Sequence, residues 1–183
     1  MFVGSQQKFA RVTDFCITER NKTLERVYEF KYLGVMLDPC HSWNDHIDLI
    51  STKISSRLGM LRKTHRVIPR EACITLYDTM ILPLFDYCSA VWHGCGKTNR
   101  DYLNKLQRRA VSIIEGRKIH VQHHEINRTL SWPSLESRRK YQICLQILKC
   151  LNGLAPAYLL TIFTIRATFT HTTHGTRTFC DCL

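Results

Sequence analysis

Residues 28–47, YEFKYLGVMLDPCHSWNDHI, decide the reading of the fold. Tyr28, Phe30, Tyr32, Val35 and Leu37 supply the aromatic and β-branched content of a strand. Gly34 falls in that run where a Cβ would be in the way, which predicts a close backbone approach or a bulge. Asp38-Pro39 ends the strand, because proline has no N–H for a ladder. Ser42 is placed to cap a helix that begins near Trp43, with Asp45 and Asp48 in its first turns beside the positive helix end. A strand, a turn and a helix start follow from this stretch alone.

Upstream, residues 1–40 read as β. Two strand candidates, 12–18 and 24–37, are joined by a turn at 19–22. A hairpin is marginal alone, so this one needs a helix or further strands against it.

Downstream, residues 44–65 place Ile47, Ile50, Ile54, Leu58 and Leu61 on one helix face. Residues 53–70 carry Lys53, Arg57, Arg62, Lys63, Arg66 and Arg70 and no acid. Such a run is either a solvated face or one that tracks phosphates, which needs only positive charge beside a groove. Pro69 suits the start of a second helix. Residues 71–92 are apolar almost all round and belong at the centre of a bundle. Pro83 inside them predicts a kink or break near 79–82.

Gly94-Cys95-Gly96 breaks that helix. A third, 99–115, turns Leu103, Leu106, Ala110 and Ile113 inward and Lys105, Arg108, Arg109 and Ser112 outward. Its three bases form a second candidate phosphate face. Residues 116–132 are mixed and His-rich, with room for a short helix at 125–130. A helix over 134–151 is expected to bury Tyr141, Cys144, Leu145, Leu148 and Leu151 and to stop at Asn152-Gly153. Residues 164–183 lose periodicity and read as an extended tail. The fold class is therefore α+β, mainly α: an N-terminal β-hairpin packed on a four- to five-helix bundle.

The 183 residues suit one domain, and 44% apolar content is too high for a disordered chain. A formal charge of +11 points to a polyanionic partner. No apolar run reaches the ~20 residues of a membrane helix, so no membrane partner is expected. The opening MFVGSQQKFARV has no apolar core, so a signal peptide is not expected either. Nine cysteines without a C-x-x-C pair suggest reduced thiols in an intracellular protein of cytoplasm or nucleus. Cys88, His93 and Cys95, the pairs His41/His46 and Cys180/Cys182, and the group His120, His123 and His124 lack the paired spacing of a zinc site. They are expected to be core thiols and surface imidazoles, with no metal bound. No phosphate-cradling glycine loop is present, and no Cys or His has the partners a nucleophile needs.

FKYLGVMLD followed by SWNDHI resembles the segment after the catalytic palm in LINE-type (jockey-like) non-LTR retrotransposon reverse transcriptases. The pattern there is V-x-x-F-K-Y-L-G-V-x-L-D, then L-x-W-x-x-H-I. Val27, Phe30, Lys31, Tyr32, Leu33, Gly34, Val35, Leu37, Asp38, Trp43, His46 and Ile47 match it. Leu76, Tyr77, Ile81, Pro83, Tyr87, Cys88 and Trp92 follow a second block, with Ile81 displaced by one position. LNKLQRRAVSII resembles the family's L-x-x-L-Q-x-R-A. Trp132, Pro133, Arg138, Gly153, Ala155, Pro156, Tyr158 and Leu159 carry the last block, with one residue missing between Trp132 and Pro133. The similarity runs collinearly over residues 2–178.

The resemblance implies a palm remnant with a primer-grip-like hairpin at 1–40 and thumb-like helices at 41–116. A C-terminal helical region at 117–163 and a tail at 164–183 complete it. Lys31, Tyr32, Leu33 and Gly34 would hold a primer end. Lys53, Arg57, Arg62, Lys63 and Arg66, with Lys105, Arg108 and Arg109, would face a duplex backbone. The implied partners are RNA, DNA or an RNA–DNA hybrid. Strand packing is the alternative role for Tyr32 and Leu33, and core packing for Trp43, Trp92 and Trp132.

Polymerases of this family hold two Mg²⁺ ions on carboxylates that include [FY]-x-D-D. The sequence has no Asp-Asp pair. No catalytic residue and no cofactor is therefore assigned to this chain, Mg²⁺ belonging to the full-length enzyme. The expectation is a truncated reverse transcriptase without polymerase activity of its own, still binding RNA or DNA non-specifically. A domesticated nucleic-acid-binding module and a non-functional retroelement fossil are the alternatives. Oligomeric state stays open.

Overall fold

The computed structural model describes residue 4 and residues 17–20, 22–116 and 132–160. These are α+β and mainly helical, with small antiparallel hairpins at the N-terminal side of a helical body. Strand β1 (Thr18–Glu19) pairs with β2 (Lys22–Thr23) across the expected turn. Residues 12–16 of the first strand candidate lie outside the described residues.

The second candidate, 24–37, is not one strand. It doubles back as β3 (Phe30–Tyr32) and β4 (Val35–Leu37), with Phe30 opposite Leu37 and Tyr32 opposite Val35. The two loop residues, Leu33 (φ 46°) and Gly34 (φ 84°), both have positive φ. That is the two-residue turn whose twist matches a hairpin. Gly34 thus serves the turn and not a bulge, and its close approach is to a side chain: a Cβ there would stand 3.5 Å from the Tyr87 ring. Leu33 has no such freedom and carries roughly 1–2 kcal/mol of left-handed strain.

The chain enters helix α1 (Asn44–Thr64) by a different cap from the one expected. Trp43, at φ 66°, occupies the cap position without a side-chain cap bond. The Asp38 carboxylate accepts the N–H groups of Ser42 (2.8 Å) and Trp43 (3.1 Å). Ser42 Oγ accepts the Asn44 N–H at 3.4 Å, and its hydroxyl also acts on the Asp38 carboxylate. Burial raises the Asp38 pKa, but hydrogen bonds from the Ser42 and Trp43 backbone, the Ser42 hydroxyl and its own backbone together outweigh it and hold the carboxyl below its ordinary value. The turn after β4, not a serine, therefore sets the helix entry.

Helix α1 buries Ile47, Ile50, Ile54, Leu58 and Leu61, as the spacing predicts. Helix α2 (Arg70–Leu76) follows Pro69 and passes into a π-helical turn (Tyr77–Ile81) and then α3 (Leu82–Asp86). Pro83 has no N–H to return to the preceding turn, and the backbone widens just before it. The expected disruption near 79–82 is this π-turn. The helix ends at Asp86 and not at 92, because Cys88 takes φ 51°. Trp92 lies wholly buried beyond it and donates Nε1–H to the Tyr87 carbonyl at 3.0 Å.

Helix α4 (Lys97–Ile114) buries Leu103, Leu106, Ala110 and Ile113 as expected, with Gln107 among them. It lies along α1. Asn99 Nδ2 donates to Asn44 Oδ1 (2.8 Å) at one end of the pair. Arg70 pairs with Glu115 (2.7 Å) near the other. The two helices enclose a core that also takes in Val35 of β4, Trp43, Phe85 and Trp92.

Helix α5 (Leu135–Leu151) departs furthest from expectation. Tyr141, Cys144, Leu148 and Leu151 are exposed and Leu145 is half-buried, while Leu135, Arg139 and Cys150 are buried. Arg138 sets this rotation, bonding both oxygens of Asp86. Arg139 lies over the Trp92 ring at 5.7 Å. Those two contacts fix the first turns of α5 and leave Tyr141 exposed.

Two compact units divide the chain at Cys144 and Leu145. In the second, α5 stops where expected. Gly153 (φ 70°) follows it, Leu154 N–H returns to Lys149 O (2.9 Å) and Gly153 N–H to Cys150 O (3.2 Å), the paired bonds of a Schellman cap. A short α6 (Ala157–Leu160) comes next. Among the described residues no helix is long and apolar enough to cross a membrane.

Candidate nucleic-acid interface

The β3–β4 hairpin is fixed through β4 and open along β3, although Phe30 and Tyr32 share a sheet face with their cross-strand partners Leu37 and Val35. Val35 is buried in the core. The Tyr87 hydroxyl donates to the Leu33 carbonyl at 2.5 Å. The Met36 N–H donates to His46 Nδ1 at 3.4 Å, joining β4 to α1. Burial lowers the His46 pKa, and the Lys53 charge lowers it further, so the ring stays neutral and Nδ1 stays an acceptor.

The outer side chains stand in solvent. Phe30, Tyr32 and Leu33 are 49%, 59% and 72% exposed, and Lys31 is exposed as well. Phe30 and Tyr32, two apart on one strand, share a face with their ring centroids 6.4 Å apart and 25° between planes. That spacing is close to two ~3.4 Å base steps. Tyr28 is also exposed, with the Arg26 guanidinium 5.1 Å from its ring centre. Aromatic side chains so placed, beside positive charge, are a surface on which bases stack. Phe30 and Tyr28 were visible in the sequence only as strand formers. Their i, i+2 spacing was the signal, but nothing told which strand of the hairpin would be left open.

The basic residues of α1 wrap the helix. At about 100° per residue, Lys53 and Arg57 flank one side of the buried stripe, Arg62 the other, and Lys63 points away from the core. Lys53, Arg62, Lys63 and Arg66 are exposed. Arg57 is half-buried and donates Nη1–H to the Met80 carbonyl of the π-turn, so it serves the fold. On α4, Lys105 and Arg109 are exposed and Arg108 half-buried, all on the outward face. The structure thus groups the α4 bases and spreads those of α1.

Among the described residues no three His, Cys, Asp or Glu side chains are grouped to hold a metal. Cys180, Cys182 and the histidines at 120, 123 and 124 lie outside the described residues. Beside Trp92, His93 has its pKa lowered, first by burial and then by Arg139. Burial also raises the Cys95 thiol, against the pull of Arg139 and Arg100. Arg139 itself is buried and has no ion pair among the described residues.

A groove of about 430 Å³ runs along the start of α5 between Pro133 and Tyr141, with Arg138 in its wall. A smaller pocket of about 100 Å³ shares Pro133 and Arg138 with it and reaches Tyr77, Gln107 and Trp132. Tyr77 and Trp132 stack at 4.0 Å, 13° from parallel.

No protein-family model, curated protein or solved structure matches this chain.

Proposed function

We propose that the chain binds RNA, DNA or an RNA–DNA hybrid, as the primer-grip and thumb portion of a non-LTR-type reverse transcriptase, in the cytoplasm or nucleus. The observation that carries this reading is the Phe30–Tyr32 pair, held open to solvent on a hairpin whose backbone is tied down by Tyr87 and His46. The charge of +11 and the collinear motif resemblance support it. The α4 bases and the exposed bases of α1 contact phosphates, and the aromatic pair receives bases. Neither reads sequence, so binding is salt-sensitive and poorly specific. Without an Asp-Asp pair, this chain alone does not extend a primer.

Fluorescence anisotropy with a labelled RNA–DNA primer-template across a salt series tests the reading. Affinity should fall steeply with salt, and the slope should become shallower when Lys105 and Arg109 are changed to Ala. Binding absent at low salt from a chain that melts cooperatively would overturn it. Template-dependent extension with Mg²⁺ and dNTPs would overturn the catalytic half.

A further inference from the structure

The pocket under Trp132 has two polar walls, Tyr77 and Gln107, close enough for the Gln107 side chain to act on the Tyr77 hydroxyl but without a well-formed hydrogen bond between them. Tyr77 and Gln107 are each 1% exposed, and Tyr77 Oη and Gln107 Oε1 are buried without a hydrogen-bond partner. Leaving either group unpaired costs about 1–3 kcal/mol, so two of them facing one space is unusual. Their position has a local cause. Tyr77 opens the π-helical turn ahead of Pro83, and such turns recur at functional sites. Gln107 is a polar residue on the buried face of α4.

The remaining walls define what fits. Trp132, stacked on Tyr77, forms a flat aromatic side. Arg138 lines it too, but its charge is met by Asp86 at 3.0 Å, and Asp78 brings a carboxyl to the same lining, so the site does not call for an anion. Gln107 Oε1 accepts only. The Tyr77 hydroxyl, kept protonated by burial, both donates and accepts. A planar, neutral ring whose edge offers donors and acceptors side by side meets all of these features, and a nucleobase edge is of that kind.

We infer that this pocket takes the hydrogen-bonding edge of an unstacked nucleobase, between Tyr77 Oη and Gln107 Oε1, with the rest of the ring in the outer groove toward Tyr141. The base belongs to a strand held as in the proposed function, on which the biological role of the pocket rests. The pocket would then hold a single base out of the stack, a task separate from the backbone contacts of the basic faces.

The test uses free uridine, cytidine, adenosine and guanosine with the full chain, following Trp132 emission, with Trp132→Phe as the signal control. Nucleosides carry no phosphate, so the result does not depend on the basic faces. Saturable quenching by at least one nucleoside is expected. Tyr77→Phe and Gln107→Leu should each weaken it about tenfold, with melting temperature unchanged or raised, since each removes a buried unpaired group. No saturable response, or unchanged affinity in both variants, overturns the inference and leaves a pocket holding about three waters. If nucleosides bind while oligonucleotides do not, the interface reading fails and the pocket stands. The reverse pattern sinks the pocket alone.

Discussion

The β3–β4 hairpin and the α1–α4 helix pair sit side by side and are held by different means. The helix pair is closed by apolar contact along its length, with Ile47, Ile54, Leu58, Leu103 and Ala110 wholly buried. The hairpin contributes one buried residue, Val35, and half-buried Leu37 to the core, and is further fixed by polar contacts, from Tyr87 to the Leu33 carbonyl and from Met36 to His46. The side chains of Phe30, Tyr32 and Leu33 stand in solvent, and its turn holds that leucine at positive φ. Packing stabilises the first region. The second keeps strain and exposed aromatic surface that stability alone does not explain, and such strain gathers at functional sites.

Changes that separate the two regions should show this, the largest first. Trp92→Ala empties a fully buried site in the body and should lose about 3–5 kcal/mol of stability, seen as a lowered urea midpoint. Asp86→Ala leaves Arg138 without its partner and should lose on the order of 2 kcal/mol. It should also free α5 to rotate, which increased amide exchange over residues 135–142 would report. A midpoint unchanged by Asp86→Ala would mean that the ion pair does not set the helix rotation.

Acid should loosen the joint between the regions. His46 titrates below its ordinary value of 6.5 in the folded chain and near that value when unfolded. The folded state thus binds fewer protons, and stability is full above pH 6.5 and declines as pH falls below it toward the folded pKa. His46→Asn should flatten that decline in a melting series, while His93, shifted the same way, leaves a remainder. Leu33→Gly should have the smallest effect. Relief of left-handed strain, less the entropy glycine adds to the unfolded chain, leaves a gain below about 1 kcal/mol. The same variant should bind nucleic acid less well, because it loses the most exposed apolar side chain of the hairpin.

Helices α1 and α4 were legible in the sequence because their apolar residues keep a 3.6 period and their ends carry breakers. The Schellman stop at Gly153 was legible for the same reason. Leu33 hid the hairpin turn, since leucine rarely adopts positive φ and a continuous strand over 24–37 was the simpler reading. The end of the second helix was hidden likewise by Cys88. The facing of the first turns of α5 was missed because its apolar residues argue for burial, while the contacts there, Arg138 to Asp86 and Arg139 to Trp92, join residues far apart in the chain. At the candidate interface, the residue types were visible and their grouping was not. Arg57 is taken up by a carbonyl of the π-turn, Tyr77 lay within an apolar run, and Gln107 was assigned to neither face of its helix.

The central claim is that the hairpin face binds and the helical body supports it. The most direct test compares Phe30→Ala/Tyr32→Ala with the unaltered chain, measuring anisotropy with single-stranded RNA and the thermal melt of the same samples. Base stacking on an aromatic ring is worth about 1–3 kcal/mol, so the account predicts roughly a tenfold or greater loss of affinity with a nearly unchanged melt. An unchanged affinity, or a melt that collapses together with binding, would contradict it.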